Sequence, residues 1–192
     1  MPPKVKITKN DIIKTALELV RNSGAQAINA RAIAASLECS TQPIFSNFAT
    51  MDDLQVAVIA AAYERYLGFI SREVESDKYP QYKAFGMAYV RFAKEERELF
   101  KLLFMRDRSG EDISPPPDFE QSVKIIMDAN GTSEEKATLI HLEMWTFVHG
   151  IATMIATSFL DFDAELISNM TRDVYFGIRA RHLSEENTNE RN

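Results

Sequence analysis

The sequence predicts an all-α protein. Apolar residues recur at helical spacing almost throughout its 192 residues, and no sustained alternating run bounded by hairpin turns interrupts them. Two capping boxes and several single cap residues fall where that pattern would start new helices.

In chain order, Thr8-Lys9-Asn10-Asp11 opens a first helix whose Ile12, Ile13, Ala16, Leu17 and Val20 share one face, and Gly24 ends it. Asn29 caps a short second helix running through Leu37. Ser40 is expected to cap a third helix beginning at Thr41, with Pro43 placed where the first turn has no intrahelical donor to lose. Thr50-Met51-Asp52-Asp53 opens a long fourth helix to about Asp77. Further helices are read at roughly 80–105, 118–130, 133–160 and 163–182, with "RDRSGEDISPPP" as a loop and "SEENTNERN" as a frayed tail.

Composition narrows the function classes. With 45% hydrophobic and 26% charged residues the chain is globular rather than disordered. No uninterrupted apolar run of roughly 18 residues is read, and "MPPKVKITKN" lacks the apolar segment of a signal peptide, so a cytoplasmic location is expected. Cys39 is the single cysteine, which excludes an intrachain disulfide and multi-cysteine zinc motifs. The net charge of −6 argues against indiscriminate coating of nucleic acid, but the average hides an asymmetry. In residues 1–50, Lys4, Lys6, Lys9, Lys14, Arg21 and Arg31 stand against Asp11, Glu18 and Glu38, a balance of +3 that leaves −9 on the rest. A small module suited to a polyanion is thus attached to an acidic body.

Two short helices joined by a tight turn and braced by a preceding helix make a helix-turn-helix arrangement. At 100° per residue the third helix turns Ile44 and Phe48 toward Ile33 and Leu37, and turns Gln42, Pro43 and Ser46 away, with Thr41 and Phe45 at the border. That outward face offers hydroxyls, an amide and an aromatic edge, the groups that read base edges and phosphates in a major groove. A surface helical hairpin with a polar outer face has the same pattern.

The run "INARAIAASLECSTQPIFSNFATMDDL" resembles the DNA-binding motif of the TetR family of transcriptional regulators, the likeness covering about residues 8–55. It rests on Ile33-Ala34, Leu37, Ser40, Phe45 to Phe48 and Asp52-Asp53-Leu54. The resemblance implies that Thr41, Gln42, Pro43 and Phe45 reach bases or nearby backbone, with Asn29, Arg31, Ser46 and Asn47 around them and Lys4, Lys6 and Lys9 approaching phosphates. Three positions depart from the family pattern: Glu38 stands where glycine is usual and is expected at positive φ, Phe45 replaces a tyrosine, and Met51 replaces a phosphate-neutralising lysine. Farther on, Trp145, His149 and Gly150 in "MWTFVHGIATM" resemble the W-x-x-x-H-G signature of one TetR subgroup. "AYVRFAKEERELFKLLF", residues 88–104, resembles the subgroup's preceding helix pair, with Arg97 at a position where proline is common.

The resemblance implies an N-terminal three-helix module (1–50), joined by a long helix to a helical effector-binding and dimerisation domain (51–183), with a tail at 184–192. Its implied partners are a palindromic operator in double-stranded DNA, a second copy of the chain and an apolar or aromatic small-molecule effector. The aromatic and methionine content of the body suits an apolar pocket or an ordinary core, and Phe100, Phe104, Met105, Trp145 and His149 are its candidate lining. His149 is read either as a core histidine satisfied by a neighbour or as a ligand contact. Ile155, Phe159, Met170, Val174 and Ile178 are the candidate dimer interface, on two helices that could form a four-helix contact by two-fold symmetry. Gly150 and Gly177 are expected where another helix packs closely.

No metal and no cofactor are expected, since His141 and His149 lie about 12 Å apart along one helix. No nucleophile elbow, zinc-protease, Walker or dinucleotide motif occurs, so an enzyme is not expected, although a dyad of Glu143 and His149 is conceivable. The competing reading is a helical dimer of the same fold with weakened DNA binding, acting through protein contacts, for which Phe45 and Met51 are the motive.

Overall fold

The protein is described by a computed structural model covering residues 7–109 and 118–184. Among the described residues there are nine α-helices and no strand: α1 Lys9–Ser23, α2 Ala30–Ser36, α3 Gln42–Asn47, α4 Met51–Glu75, α5 Gln81–Glu95, α6 Arg97–Phe104, α7 Asp118–Asn130, α8 Glu134–Ala156 and α9 Ala164–Ser184. The predicted all-α architecture is the one observed. Both capping boxes form: Thr8 Oγ1 accepts from Asp11 N while Asp11 accepts from Thr8 N, and Thr50 and Asp53 repeat the exchange.

Four boundaries differ from expectation, each for a local reason. Thr41, not Ser40, is the N-cap of α3, and its side chain makes no capping bond. Proline supplies no N–H at position 43, and the amide of Ile44 is bonded to the Thr41 carbonyl (3.1 Å), so no hydroxyl cap is needed. The helix expected over 80–105 breaks at Glu96, whose backbone (φ −125°, ψ 52°) is not helical. α8 ends at Ala156 rather than 160 because Ser158 adopts a left-handed conformation (φ 59°) and closes a Schellman turn, Phe159 N bonding Met154 O (2.9 Å) and Ser158 N bonding Ile155 O (3.0 Å). α9 starts under an Asp163 cap that accepts from Leu166 N at 2.8 Å.

The chain packs as two compact units. One holds the residues up to Gly68 together with Glu95–Arg106; the other holds Phe69–Lys94 and the residues from Asp107 on. The boundary between these packing units falls within α4, whose N-terminal part belongs, with all of α6, to the unit of the first three helices. In this first unit α1 lies on α2, α3 and α6, burying Ile12, Ala16 and Val20 with Ile33, Ile44, Leu54, Val58, Leu99 and Phe100. The apolar faces are buried as periodicity requires.

In the second unit α8 packs on α7 and α9. Val123, Ile126, Ala137 and Ile140 form a core against which Tyr82, Phe119, Met127, Tyr175 and Ile178 pack. Polar groups within it are paired: Tyr82 Oη meets His141 Nδ1 at 3.0 Å, and Asn130 donates to Ile126 O and Tyr175 Oη while accepting from Arg179. Burial lowers the pKa of His141 from 6.5 to about 4, and the charge of Asp118 opposes that shift. α8 is also long and apolar enough, by length and composition, to cross a membrane, a test that a buried core helix passes too. Part of that apolar character faces outward, at Leu139, Leu142, Trp145 and Met154. The expectation that Gly150 and Gly177 lie under a neighbouring helix is not met among the described residues: a Cβ at either would meet none of their atoms within 4 Å.

Candidate nucleic-acid interface

α3 is held by two anchors. Ile44 and Phe48 are buried, so the helix can only turn its opposite side outward. Gln42 and Ser46 are exposed there, Phe45 stands 52% exposed, and Thr41 and Pro43 are half-buried at the margin. Ser46 Oγ donates to Gln42 O (2.9 Å) and Asn47 Nδ2 to Pro43 O (2.8 Å), which ties both side chains back onto the helix. Gln42 is the long amide on this face.

The flanking residues are placed in different ways. Asn29 is occupied as the N-cap of α2, Oδ1 accepting from Ala32 N at 2.8 Å while Nδ2 donates to Ala27 O at 3.3 Å. Arg31 is exposed in the first turn of α2. Lys9 sits with its ammonium 4.9 Å from the Phe48 ring centre, at the start of α1. Lys4 and Lys6 lie outside the described residues. Glu38 does adopt the expected positive φ (51°), as the left-handed residue of a Schellman turn in which Cys39 N bonds Ala34 O (2.9 Å) and Glu38 N bonds Ala35 O (3.2 Å). The turn between α2 and α3 thus keeps its shape without glycine.

One feature of this unit has no counterpart in the sequence reading. Glu96 is a buried carboxylate, its side chain 5% exposed. Arg21 of α1 grips it with two bonds, Nε to Oε2 at 2.7 Å and Nη2 to Oε1 at 2.9 Å. Arg65 of α4 adds Nε to Oε1 at 2.8 Å and Nη2 to Oε1 at 2.5 Å. The bonds to Glu96 raise the Arg21 pKa further above its ordinary value, with burial opposing.

The candidate effector residues are divided between the units. In the first, Phe100 is fully buried, Phe104 stacks edge-on against Tyr66 with centres 5.4 Å apart, and Met105 is exposed. In the second, Trp145 is exposed, and His149 Nδ1 lies 2.8 Å from the buried Tyr89 hydroxyl. His149 thereby has the neighbouring hydroxyl of the core reading, and burial lowers its pKa. Glu143 is engaged elsewhere, accepting from Arg181 and meeting His182 Nε2 at 2.9 Å, so the conceivable dyad with His149 is not assembled. Among the described residues no group of three His, Cys, Asp or Glu could hold a metal ion.

Of the candidate dimer residues, Ile155 is 1% exposed and belongs to the chain's own core, and Ile178 packs on the α7–α8 cluster. Met170 and Val174 are half-buried, while Phe159 stands 74% exposed just past α8. Besides Phe159, exposed large apolar side chains of the second unit stand at Leu139, Leu142, Trp145, Met154, Leu160, Leu166 and Phe176. Helical periodicity marks apolar faces without distinguishing inner from outer ones on a helix apolar around most of its circumference.

Residues 82–173 match the family model described as tetracyclin repressor-like, C-terminal domain. The chain is TetR-like. Among solved structures it is similar to a TetR-like transcriptional regulator from Rhodococcus sp. RHA1, with a TM-score of 0.61 at 15% identity over 96% of this chain and 98% of that one. No curated protein matches the sequence. The family model covers most of α5 through the middle of α9, so this TetR-like chain carries its match in the acidic body rather than in the basic N-terminal segment.

Proposed function

We propose that this TetR-like protein is a sequence-specific DNA-binding regulator of transcription, a cytoplasmic repressor released by a small apolar or aromatic effector. The observation that carries the reading is the seating of α3, which Ile44 and Phe48 anchor so that Gln42, Phe45 and Ser46 face outward. Residues 1–50 supply the DNA contacts, with Lys4, Lys6, Lys9, Asn29, Arg31, Thr41, Pro43 and Asn47 around that face. Residues 51–183 bind effector and assemble the dimer; of the tail expected at 184–192, Ser184 closes α9 and the rest lies outside the described residues. An effector near Trp145 and His149 belongs to this proposal, as does the W-x-x-x-H-G subgroup.

The protein works as a homodimer, two copies presenting their α3 helices about 34 Å apart to a palindromic operator. The second copy fits the outward faces of α8 and α9, where exposed Leu139, Leu142, Leu166 and Phe176 accompany Gly150 and Gly177, both open to close approach. Selecting a binding sequence from random duplex DNA with the purified protein tests the reading. Recovery of a palindrome is expected, and Gln42→Ala should weaken binding to it by about 1–3 kcal/mol while sparing other DNA. Recovery of no preferred sequence would leave the second reading, a helical dimer acting through protein contacts, which Phe45 and Met51 favour by withholding a hydroxyl and a cation from the phosphates.

A further inference from the structure

The first unit is held together by two kinds of contact that do different work. Its apolar core, with Ile12, Val20, Ile44, Leu54 and Phe100 all buried, supplies cohesion, but apolar burial is non-directional and tolerates small slides of one helix on another. The Arg21–Glu96–Arg65 triad is directional. Planar guanidinium forks from α1 and α4 converge on a carboxylate that is itself fixed at the non-helical residue between α5 and α6, with Phe100 N bonded to Glu96 O at 2.8 Å. Buried ion pairs add little net stability because desolvation offsets their attraction, yet they penalise any geometry that unpairs them. α1 in turn packs on α2 and α3, so fixing α1 against α4 fixes the helix that carries Gln42 and Phe45.

We propose that Glu96 is a positioning residue for DNA recognition: by clamping Arg21 to Arg65 it sets the angle at which α3 is presented, and thereby controls specific affinity more than stability. The proposal rests on the DNA-binding reading above. It is separable from simple electrostatics by sign. Glu96→Gln keeps the shape and removes one negative charge, which by charge alone would tighten binding to a polyanion. A positioning role demands the opposite for a specific site. Arg65→Lys keeps the net charge unchanged and removes only the fork that grips the carboxylate from α4.

The test measures wild type, Glu96→Gln and Arg65→Lys against the duplex selected by the wild-type protein and against an unrelated duplex of equal length. Amide hydrogen exchange of the free proteins is followed in parallel. The expected result is a roughly 2- to 30-fold loss of affinity for the selected duplex in both variants, none for the unrelated duplex, and faster exchange in α1–α3 with α7–α9 unaltered. Unchanged or tighter binding to the selected duplex overturns the proposal. If the wild-type protein selects no sequence, the DNA-binding reading fails by itself, and exchange then decides the clamp: unaltered protection in α1–α3 overturns it. Should Glu96→Gln fail to fold, Arg65→Lys, which leaves the Arg21 bonds in place, decides alone.

Discussion

Acidification should destabilise the chain through His141. The ring lies against Phe119, with centres 4.8 Å apart, and beside the Tyr82 hydroxyl, and burial holds its pKa near about 4 against 6.5 for the unperturbed group. For a base with a depressed folded pKa, the unfolded chain takes up its proton first as pH falls. The stability contributed by the neutral ring is thus complete above pH 6.5 and is lost progressively as pH falls toward about 4. At about 1.36 kcal/mol per pKa unit, that gap is worth roughly 3 kcal/mol at most. The ring is only partly enclosed, so solvent screening reduces the expected loss to about 1–2 kcal/mol, still a sizeable share of the roughly 5–15 kcal/mol of a typical domain. Urea unfolding at a series of pH values from about 7.5 to 4.5 measures it, with His141→Gln as the comparison. The variant should be less stable at neutral pH and should show a flatter decline. Parallel declines in the two proteins would refute the assignment, since His149, also lowered by burial, titrates in both.

Three further outcomes are expected. Gly177→Ala should raise the stability of the isolated chain by about 1 kcal/mol through helix propensity, because its Cβ enters open space, yet weaken the dimer in equilibrium sedimentation; a dimer left intact would place the second copy elsewhere. Gly24→Ala should cost about 1–3 kcal/mol in thermal unfolding, as Gly24 holds φ 83° and ψ 175° and a Cβ would come within 2.8 Å of Gln26 Oε1. Glu38→Gly should trade about 1–2 kcal/mol of left-handed strain against about 0.5–1 kcal/mol of added chain entropy, a small net gain visible as a higher urea midpoint with unchanged slope.

What could be read from the sequence was what neighbouring residues decide among themselves. The caps at Thr8, Asn29 and Thr50, the turn at Glu38 and the inward pair Ile44 and Phe48 are all set within a few residues, and all were legible. Glu96 was not. In "KEERELF" it reads as one more charge on a solvated face, and its partners lie 75 and 31 residues away in sequence. Only the packing of α1 and α4 buries it. The same limit explains the glycines of α8 and α9: periodicity shows that they share a helix with apolar residues, whereas which face looks outward depends on where the other helices lie.

The interleaving of the two packed units bears on how this protein can be taken apart. A polypeptide cut after α4 would keep every residue proposed to touch DNA and still lack α6, uncovering the part of α1 that α6 packs against and leaving Arg21 and Arg65 without their shared carboxylate. Such a fragment would be a sticky, poorly folded peptide rather than a miniature DNA reader. Any hybrid that grafts this head onto another body must carry residues 95–106 with it, although they are separated from the head by 26 residues of the other unit. What evolution or an engineer can exchange here is a surface on a shared scaffold, because no single scission separates reader from body.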